Sequence, residues 1–392
     1  MRVLLTFAGG LGHFQPLIPL ASAVAAAGHV VAFAAGPAQR QAIEAAGFTA
    51  FAVGGGGDDV PERRPLLVPD REREERDLRE GFVRHGAAHR LPLYLDLFGE
   101  WRPDVVVCEE TDFGSVLAAE KLGLPYANAQ VTASGSFVRP AVIGEAIAEL
   151  RAEHGLSPDP NLVMLHRHLV LSPFPPSFRD PASPLPHTAF PIRPPVGPQA
   201  RSDTPTVYFT LGTVFNTESG DLFARVLAGL SDLPVDVVAT VGRHVDPAEF
   251  GDQRAGVRIA RYLPQSEVLP RCDLVISHGG SGSVIGALAH GLPTVLLPIG
   301  ADQPHNAEQC VRLGVGKELD PVTVTPQGLR AAVTEVLADP GYRRAAERVR
   351  EEMLRLPEPT GAVPLLERLV ADELSDPVGR IKNRGPLARG PL

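Results

Sequence analysis

Lysine is almost missing from this chain. It occurs only at Lys121, Lys317 and Lys382, so arginine supplies nearly all of the 37 basic residues, and 46 acidic residues leave a formal charge of −9. With a pI near 5.8, this balance argues against a general nucleic-acid binder, which needs a basic face. An anionic ligand has to be held by local dipoles instead. Cysteine is equally scarce. Cys108, Cys272 and Cys310 are an odd number with no CxxC pair, which rules against a disulfide framework and fits reduced thiols in a cytoplasmic protein. Charge is absent from one long stretch, since no Lys, Arg, Asp or Glu lies between Arg2 and Arg40. A secretion signal is the tempting reading, yet His13, Gln15, Pro16, Pro19 and His29 interrupt the run. No stretch reaches the roughly 20 apolar residues of a membrane span, so buried β-α-β structure is expected. Metal-site patterns are missing too: the chain has no DxD and no HExxH. "GVGKE" (314–318) fails the Walker pattern because Glu follows Lys317, and "GGLGH" lacks the third glycine of a dinucleotide fingerprint.

What is present is an α/β chain. A length of 392 residues with 44% apolar content predicts two domains of ordinary size. "RVLLTFA" (2–8) is a short apolar run, "QPLIPLASAVAAAG" has helical spacing with Gly28 as its stop, and "HVVAFAAG" is a second buried run. Strands joined through a helix lie parallel. "RPDVVVCEE" and "SVLAAEKLGLPYANAQ" repeat the unit. A Pro-rich polar stretch, 194–205, reads as a linker. After it a second series begins with "TVYFTLG", "DLFARVLAGLSDL" and "VDVVATVG", then continues with "CDLVISHGG", "SVIGALAHG" and "PTVLLPIG". Both halves are therefore expected to be doubly wound, with ligands beyond the carboxyl ends of the strands. Residues 54–81 read as a Gly-rich loop leading into a mixed-charge helix whose charges form a solvated face. Residues 376–392 lack periodicity and are expected to be disordered.

The glycines around His278 carry the chemistry. "CDLVIS" is a strand, "HGGSG" a turn, and a helix starts at about Ser283. A helix start presents unpaired N–H groups and partial positive charge, and glycine lets a phosphate approach them. One glycine-rich turn is weak evidence of a ligand, since a tight turn needs none. The position recurs, however, at "LGT" (211–213), "YLPQ" (262–265) and "ADQ" (301–303), so four loops converge at one sheet edge.

With "GGLGHFQPLIPLA", "YLPQSEVLPRCDLVISHGGSGSVIGAL" and "GADQPHNAEQ" in combination, residues 1–370 resemble the family 1 inverting nucleotide-sugar glycosyltransferases of the GT-B fold. The likeness is greatest to actinomycete enzymes that modify polyketide, macrolide and enediyne natural products. The resemblance implies two Rossmann-like domains facing across a cleft: 1–193 for the acceptor and 206–355 for the nucleotide sugar, with 194–205 between them. A terminal helix, 356–375, is expected to return to the first domain. It implies that His278, Thr213 and the amides of Gly280, Ser281, Gly282 and Ser283 hold the diphosphate, beside Gly212. Tyr262 would stack on the base, Leu263 would meet it through its backbone, and Gln265 would line the same pocket. Asp302 and Gln303 would bind sugar hydroxyls. Family members that use UDP-sugars often carry Glu where this chain has Gly286, so a dTDP-sugar donor is expected.

Attack by an acceptor hydroxyl needs a base, and histidine has the pKa for it. His13 follows the first glycine turn. By itself it reads as a helix-terminal histidine, but the resemblance makes it the base. Its orienting carboxylate is Glu109 by the family's spacing, with Glu110 and Asp112 left open. Phe82, Phe113, Phe137, Phe174 and Met164 are candidates for an apolar acceptor wall, each of them equally readable as core. No cofactor, metal, nucleic acid or membrane is implied: the ligands are a dTDP-sugar and a small aglycone. Two other readings stay open, a GT-B nucleotide-sugar epimerase and a non-catalytic partner that binds the nucleotide sugar for a transferase.

Overall fold

A computed structural model of the chain describes residues 1–55, 63–197, 199–200 and 203–375. The expectation for 376–392 lies outside the described residues, as does part of the Gly-rich loop near residue 56.

Among the described residues thirteen strands form two wholly parallel sheets. The first has seven: β1 (Arg2–Thr6), β2 (Val30–Ala35), β3 (Thr49–Ala52), β4 (Val105–Glu109), β5 (Tyr126–Ala129), β6 (Leu169–Ser172) and β7 (Ala189–Pro191), in the order β3-β2-β1-β4-β5-β6-β7. The second has six: β8 (Thr206–Thr210), β9 (Asp236–Thr240), β10 (Val257–Ala260), β11 (Leu274–Ser277), β12 (Thr294–Leu296) and β13 (Gly316–Glu318), in the order β10-β9-β8-β11-β12-β13. Crossover helices cover both faces of a parallel sheet, so its strands read as continuous apolar runs. Alternate residues then serve opposite cores. Leu4, Val106 and Cys108 enter one cluster, while Val3, Leu5, Val105 and Val107 enter the other. Each such side chain contributes about 1.5–3 kcal/mol by leaving water.

Strand order reverses direction twice, between β1 and β4 and between β8 and β11. Ligands bind at such reversals in open α/β sheets, because neighbouring crossovers diverge to opposite faces and leave a crevice. Pairing sets which loops meet there: Thr6 stands beside Cys108, and Ser277 stands between Thr210 and Leu296.

The two lobes share an apolar seam. Ala133, Phe174 and Phe178 of the first pack with Val284, Ile285 and Leu288 of the second. The last helix, Val363–Ser375, returns to the first sheet, where Ala362, Val363 and Leu366 join the cluster of Val3 and Leu5.

One expectation is corrected. The charges of the helix Arg71–Asp77, which Asp70 caps by accepting from the Glu72 and Arg73 amides, form a solvated face only in part: Glu72, Arg76 and Asp77 are exposed, but others reach the second lobe. Arg71 pairs with Glu308 of the second lobe, and Glu74 accepts from the Ala301 backbone N–H at 2.7 Å. Charge pattern along one helix carries no information about a partner lobe, so nothing in 71–77 announced this. The chain continues through a wider, i→i+5 helical stretch, Leu78–Ala87, into the helix Ala88–Trp101.

Candidate active site

The first crevice is built at the β1/β4 reversal. The backbone leaves β1 through Gly9 and Gly10 into a one-turn helix, Leu11–Phe14, that carries His13. A side chain at Gly9 would overlap the imidazole, so glycine is what lets the ring lie on the turn. His13 Nδ1 is 3.1 Å from Glu109 Oε2; the ring is about a quarter exposed and the carboxylate is fully buried. Glu109, the last residue of β4, is fixed from its own side by the Thr111 N–H at 2.8 Å and the Thr111 hydroxyl at 2.9 Å. The Ala8 N–H adds a longer bond of 3.3 Å, and Arg90 donates to the Phe7 and Ala8 carbonyls.

Charges here are mutually reinforcing. Burial works against an imidazolium at position 13, but the Glu109 carboxylate, with Asp302 and Glu110 behind it, outweighs burial and the His13 pKa is raised above 6.5. Burial likewise works against the Glu109 anion, and His13 with the Thr111 donors outweighs it, so that pKa is lowered. The neighbours are engaged elsewhere. Glu110 accepts from the Val131 and Thr132 amides, and burial raises its pKa to about 7. Asp112 accepts from the Tyr94 hydroxyl at 2.5 Å. Of the three carboxylates left open by sequence, Glu109 is the one against the histidine.

The second crevice lies at the β8/β11 reversal. His278 follows β11, and its ring sits between two glycines: a Cβ on Gly212 would fall 2.7 Å from Nε2, and one on Gly280 2.5 Å from it. Gly212 has φ +72° and Gly279 φ +86°, the left-handed region that favours glycine. Among the described residues no carboxylate faces this imidazole. Burial lowers its pKa to about 4, with the Thr210 backbone offsetting only part, so it is neutral near pH 7.

The helix Ser281–Ala289 starts beside it, capped at Gly280 with no acidic residue in its first turn. It begins two residues before the expected start. The Ser283 N–H donates to the Gly280 carbonyl at 3.0 Å, so it is not a free donor as expected; Ser281 and Gly282 carry the amides without intrahelical acceptors. Thr213 is exposed, Tyr262 is half-exposed at the rim, and Leu263 and Gln265 are partly buried behind it. The Gln265 carboxamide is 3.5 Å from the Ser283 hydroxyl, and a Cβ on Gly286 would come within 2.6 Å of Gln265 Oε1.

Asp302 and Gln303 close the crevice. Asp302 Oδ2 accepts from the Ser281 hydroxyl at 2.6 Å and from Asn306 Nδ2 at 2.8 Å. Burial raises its pKa. Gln303 Oε1 accepts from the Ile299 and Gly300 amides at 2.8 and 3.1 Å. Asn306 is the residue that sequence reading missed. It is fully buried, donates also to the Gly279 carbonyl, and accepts from Ser134 N–H of the other lobe at 3.1 Å. Its place four residues after Asp302, on one helix face, was the available signal.

The apolar candidates separate. Phe82 is partly buried with its ring 6.4 Å from His13, nearly parallel. Phe137 is 8% exposed beside His305. Phe113 and Met164 are 0% exposed within the first-lobe core, and Phe174 belongs to the seam between lobes. These three are corrected: they pack and present no surface to a ligand here, a distinction that side-chain type alone does not make.

Two facing doubly wound lobes with crevices at both reversals are the architecture of the GT-B glycosyltransferases. Spinosyn rhamnosyltransferase superposes with a TM-score of 0.78 at 25% identity, covering 94% of this chain and 100% of that one. That enzyme has also been solved with thymidine diphosphate and with spinosyn aglycone. Residues 224–369 match the erythromycin biosynthesis protein CIII-like C-terminal domain. Tylactone mycaminosyltransferase of Streptomyces fradiae is 32% identical, over 95% of this chain and 93% of its own length. 10-Deoxymethynolide desosaminyltransferase of Streptomyces venezuelae is 30% identical, over 96% and 99%. The chain belongs to the actinomycete glycosyltransferases of antibiotic and natural-product biosynthesis. Among the described residues no helix is long and apolar enough to cross a membrane.

Proposed function

We propose that this enzyme moves a sugar, with inversion and without a metal, from a dTDP-linked donor to a hydroxyl of a small, largely apolar aglycone, with His13 as general base. The contact that carries the reading is His13 Nδ1 to Glu109 Oε2. A carboxylate on Nδ1 holds the proton there and leaves Nε2 as the basic nitrogen. That nitrogen takes the acceptor proton as the acceptor oxygen bonds to the anomeric carbon and the bond to the diphosphate oxygen breaks. The leaving diphosphate gathers charge at the Ser281 and Gly282 amides, and neutral His278 donates a hydrogen bond. Helix field and amide donors supply the stabilisation that a cation supplies elsewhere.

Asp302 and Gln303 hold the sugar in this reading. Asp302 Oδ2 and the Gln303 carbonyl oxygen are committed to protein donors, leaving Asp302 Oδ1 and the Gln303 NH2 for hydroxyls. Tyr262 stacks on the base, and Phe82, beside His13, faces the acceptor. Gly286 supports a deoxyribose: it offers no acceptor to a 2′-hydroxyl, and any side chain there has to displace Gln265. The thymidine diphosphate complex of the spinosyn enzyme supports the same donor class.

Mass spectrometry of dTDP-sugar and aglycone panels tests the proposal. Glycoside formation that stops in His13→Ala supports it. Binding of dTDP with no product across the panel favours the non-catalytic partner reading, and equal turnover with UDP- and dTDP-linked forms of one sugar removes the dTDP part.

A further inference from the structure

The loop 299–303 carries Asp302 and Gln303, and its neighbour Ala301 has φ +52°. A residue with a Cβ in the left-handed region costs about 1 kcal/mol or more and persists where its surroundings over-determine it. Within the second lobe only part of that determination exists: Gln303 Oε1 takes the Ile299 and Gly300 amides. The Ala301 amide is taken from the opposite lobe, by Glu74 Oε2 at 2.7 Å. The fit is close, since a Cβ on Gly300 would lie 2.9 Å from both Glu74 oxygens. The Ala301 methyl packs against the first-lobe core rather than its own. Arg73 steadies the carboxylate through its other oxygen at 3.0 Å, and Arg71 on the same helix pairs with Glu308. The same continuous helical segment carries Phe82 beside His13.

We infer that Glu74 is a positioning residue for donor-sugar recognition: by accepting the Ala301 N–H across the cleft, it sets the backbone turn that aims Asp302 and Gln303. Sugar recognition thereby depends on the lobes being engaged, and one helical segment reports to both the sugar and the base. This rests on the proposed sugar contacts of Asp302 and Gln303.

The experiment compares Glu74→Ala and Glu74→Gln in the full chain, by steady-state kinetics on a pair that gives product in the panel, by dTDP calorimetry, and by hydrogen exchange of the peptide holding Ala301. Glu74→Ala is expected to raise donor KM about tenfold, the equivalent of one charge-assisted hydrogen bond. Its dTDP affinity stays within about twofold and the Ala301 amide exchanges faster. Glu74→Gln keeps an acceptor oxygen and restores both readouts. Unchanged exchange and KM in Glu74→Ala, an equal loss of dTDP affinity, or failure of Gln to rescue overturns the inference. A faster Ala301 amide with rescue by Gln upholds the positioning even where Asp302→Asn leaves donor KM untouched, a result that removes the sugar assignment of Asp302 instead.

Discussion

His13 and His278 each follow a strand that borders the reversal of strand order, but on opposite sides of it: His13 comes after β1, the first strand of its sheet, and His278 after β11, the fourth of its own. Their electrostatics are opposed. Against burial, Glu109 raises the pKa of His13, whereas burial with no facing carboxylate lowers that of His278 to about 4. Each condition suits a different task. A base has to form a cation during the reaction, and a buried carboxylate stabilises that cation in advance. A diphosphate clamp beside a helix N-terminus already has its positive field, so a neutral donor suffices and a second charge is superfluous. In the proposed reaction fold supplies the position, and the presence or absence of one carboxylate suits each imidazole to its part.

The largest break in this comparison comes from His13→Ala. Turnover is expected to fall about 10²–10⁴-fold, the range for a general base, while calorimetry finds dTDP affinity unchanged. Retention of near wild-type rate would falsify the base assignment. His278→Ala has the converse signature, dTDP affinity weakened about tenfold to a hundredfold through one hydrogen bond to a charged group.

Acidity separates the two further. His278 has a folded pKa below its unfolded value, so its neutral burial favours folding above about pH 6.5 and that contribution is lost as pH falls toward about 4. The lost stability is on the order of 3 kcal/mol. His13 runs the other way: its contribution is full below pH 6.5 and is lost as pH rises through its elevated folded value. Urea unfolding at pH 7 and pH 4.5 checks this, with a smaller acid loss expected in His278→Asn than in wild type. In the rate profile, Glu109→Gln removes the largest cause that raises His13 and leaves the burial that lowers it opposed only by the smaller pull of Asp302 and Glu110. The rising limb of kcat/KM therefore moves to lower pH, and kcat falls because the developing imidazolium loses its counter-charge. A limb that stays in place means another group sets it.

How much of this was legible follows the range of the forces involved. Strands such as β4 and β11 stand out because burial on both faces demands unbroken apolar runs. The glycines near His278 announce a close approach because no other residue permits it. Only the family's spacing favoured Glu109 over Glu110 and Asp112, since the turn after β4 decides where each carboxylate points. Glu74 and the Ser134–Asn306 bond were invisible because they join segments from different lobes. Phe113 and Met164 failed as acceptor contacts for a related reason: apolar type fixes that a side chain is covered, and says nothing of whether protein or ligand covers it.

The smallest expected effect probes what makes Glu109 a partner at all. Its two oxygens receive the Thr111 amide and hydroxyl together with the Ala8 amide. Backbone donors cannot be deleted by ordinary substitution, but Thr111→Val removes the hydroxyl while keeping shape. A hydroxyl donating to such a carboxylate contributes about 1.5–3 kcal/mol, but the Thr111 and Ala8 amides stay in place, so kcat is expected to fall by no more than about tenfold, with dTDP affinity unaltered. If the loss instead approaches that of Glu109→Gln, the hydroxyl orients the carboxylate and the backbone does not. The first crevice would then depend on a side-chain chain of three, His13, Glu109 and Thr111, whereas the second relies on a single imidazole held between glycines.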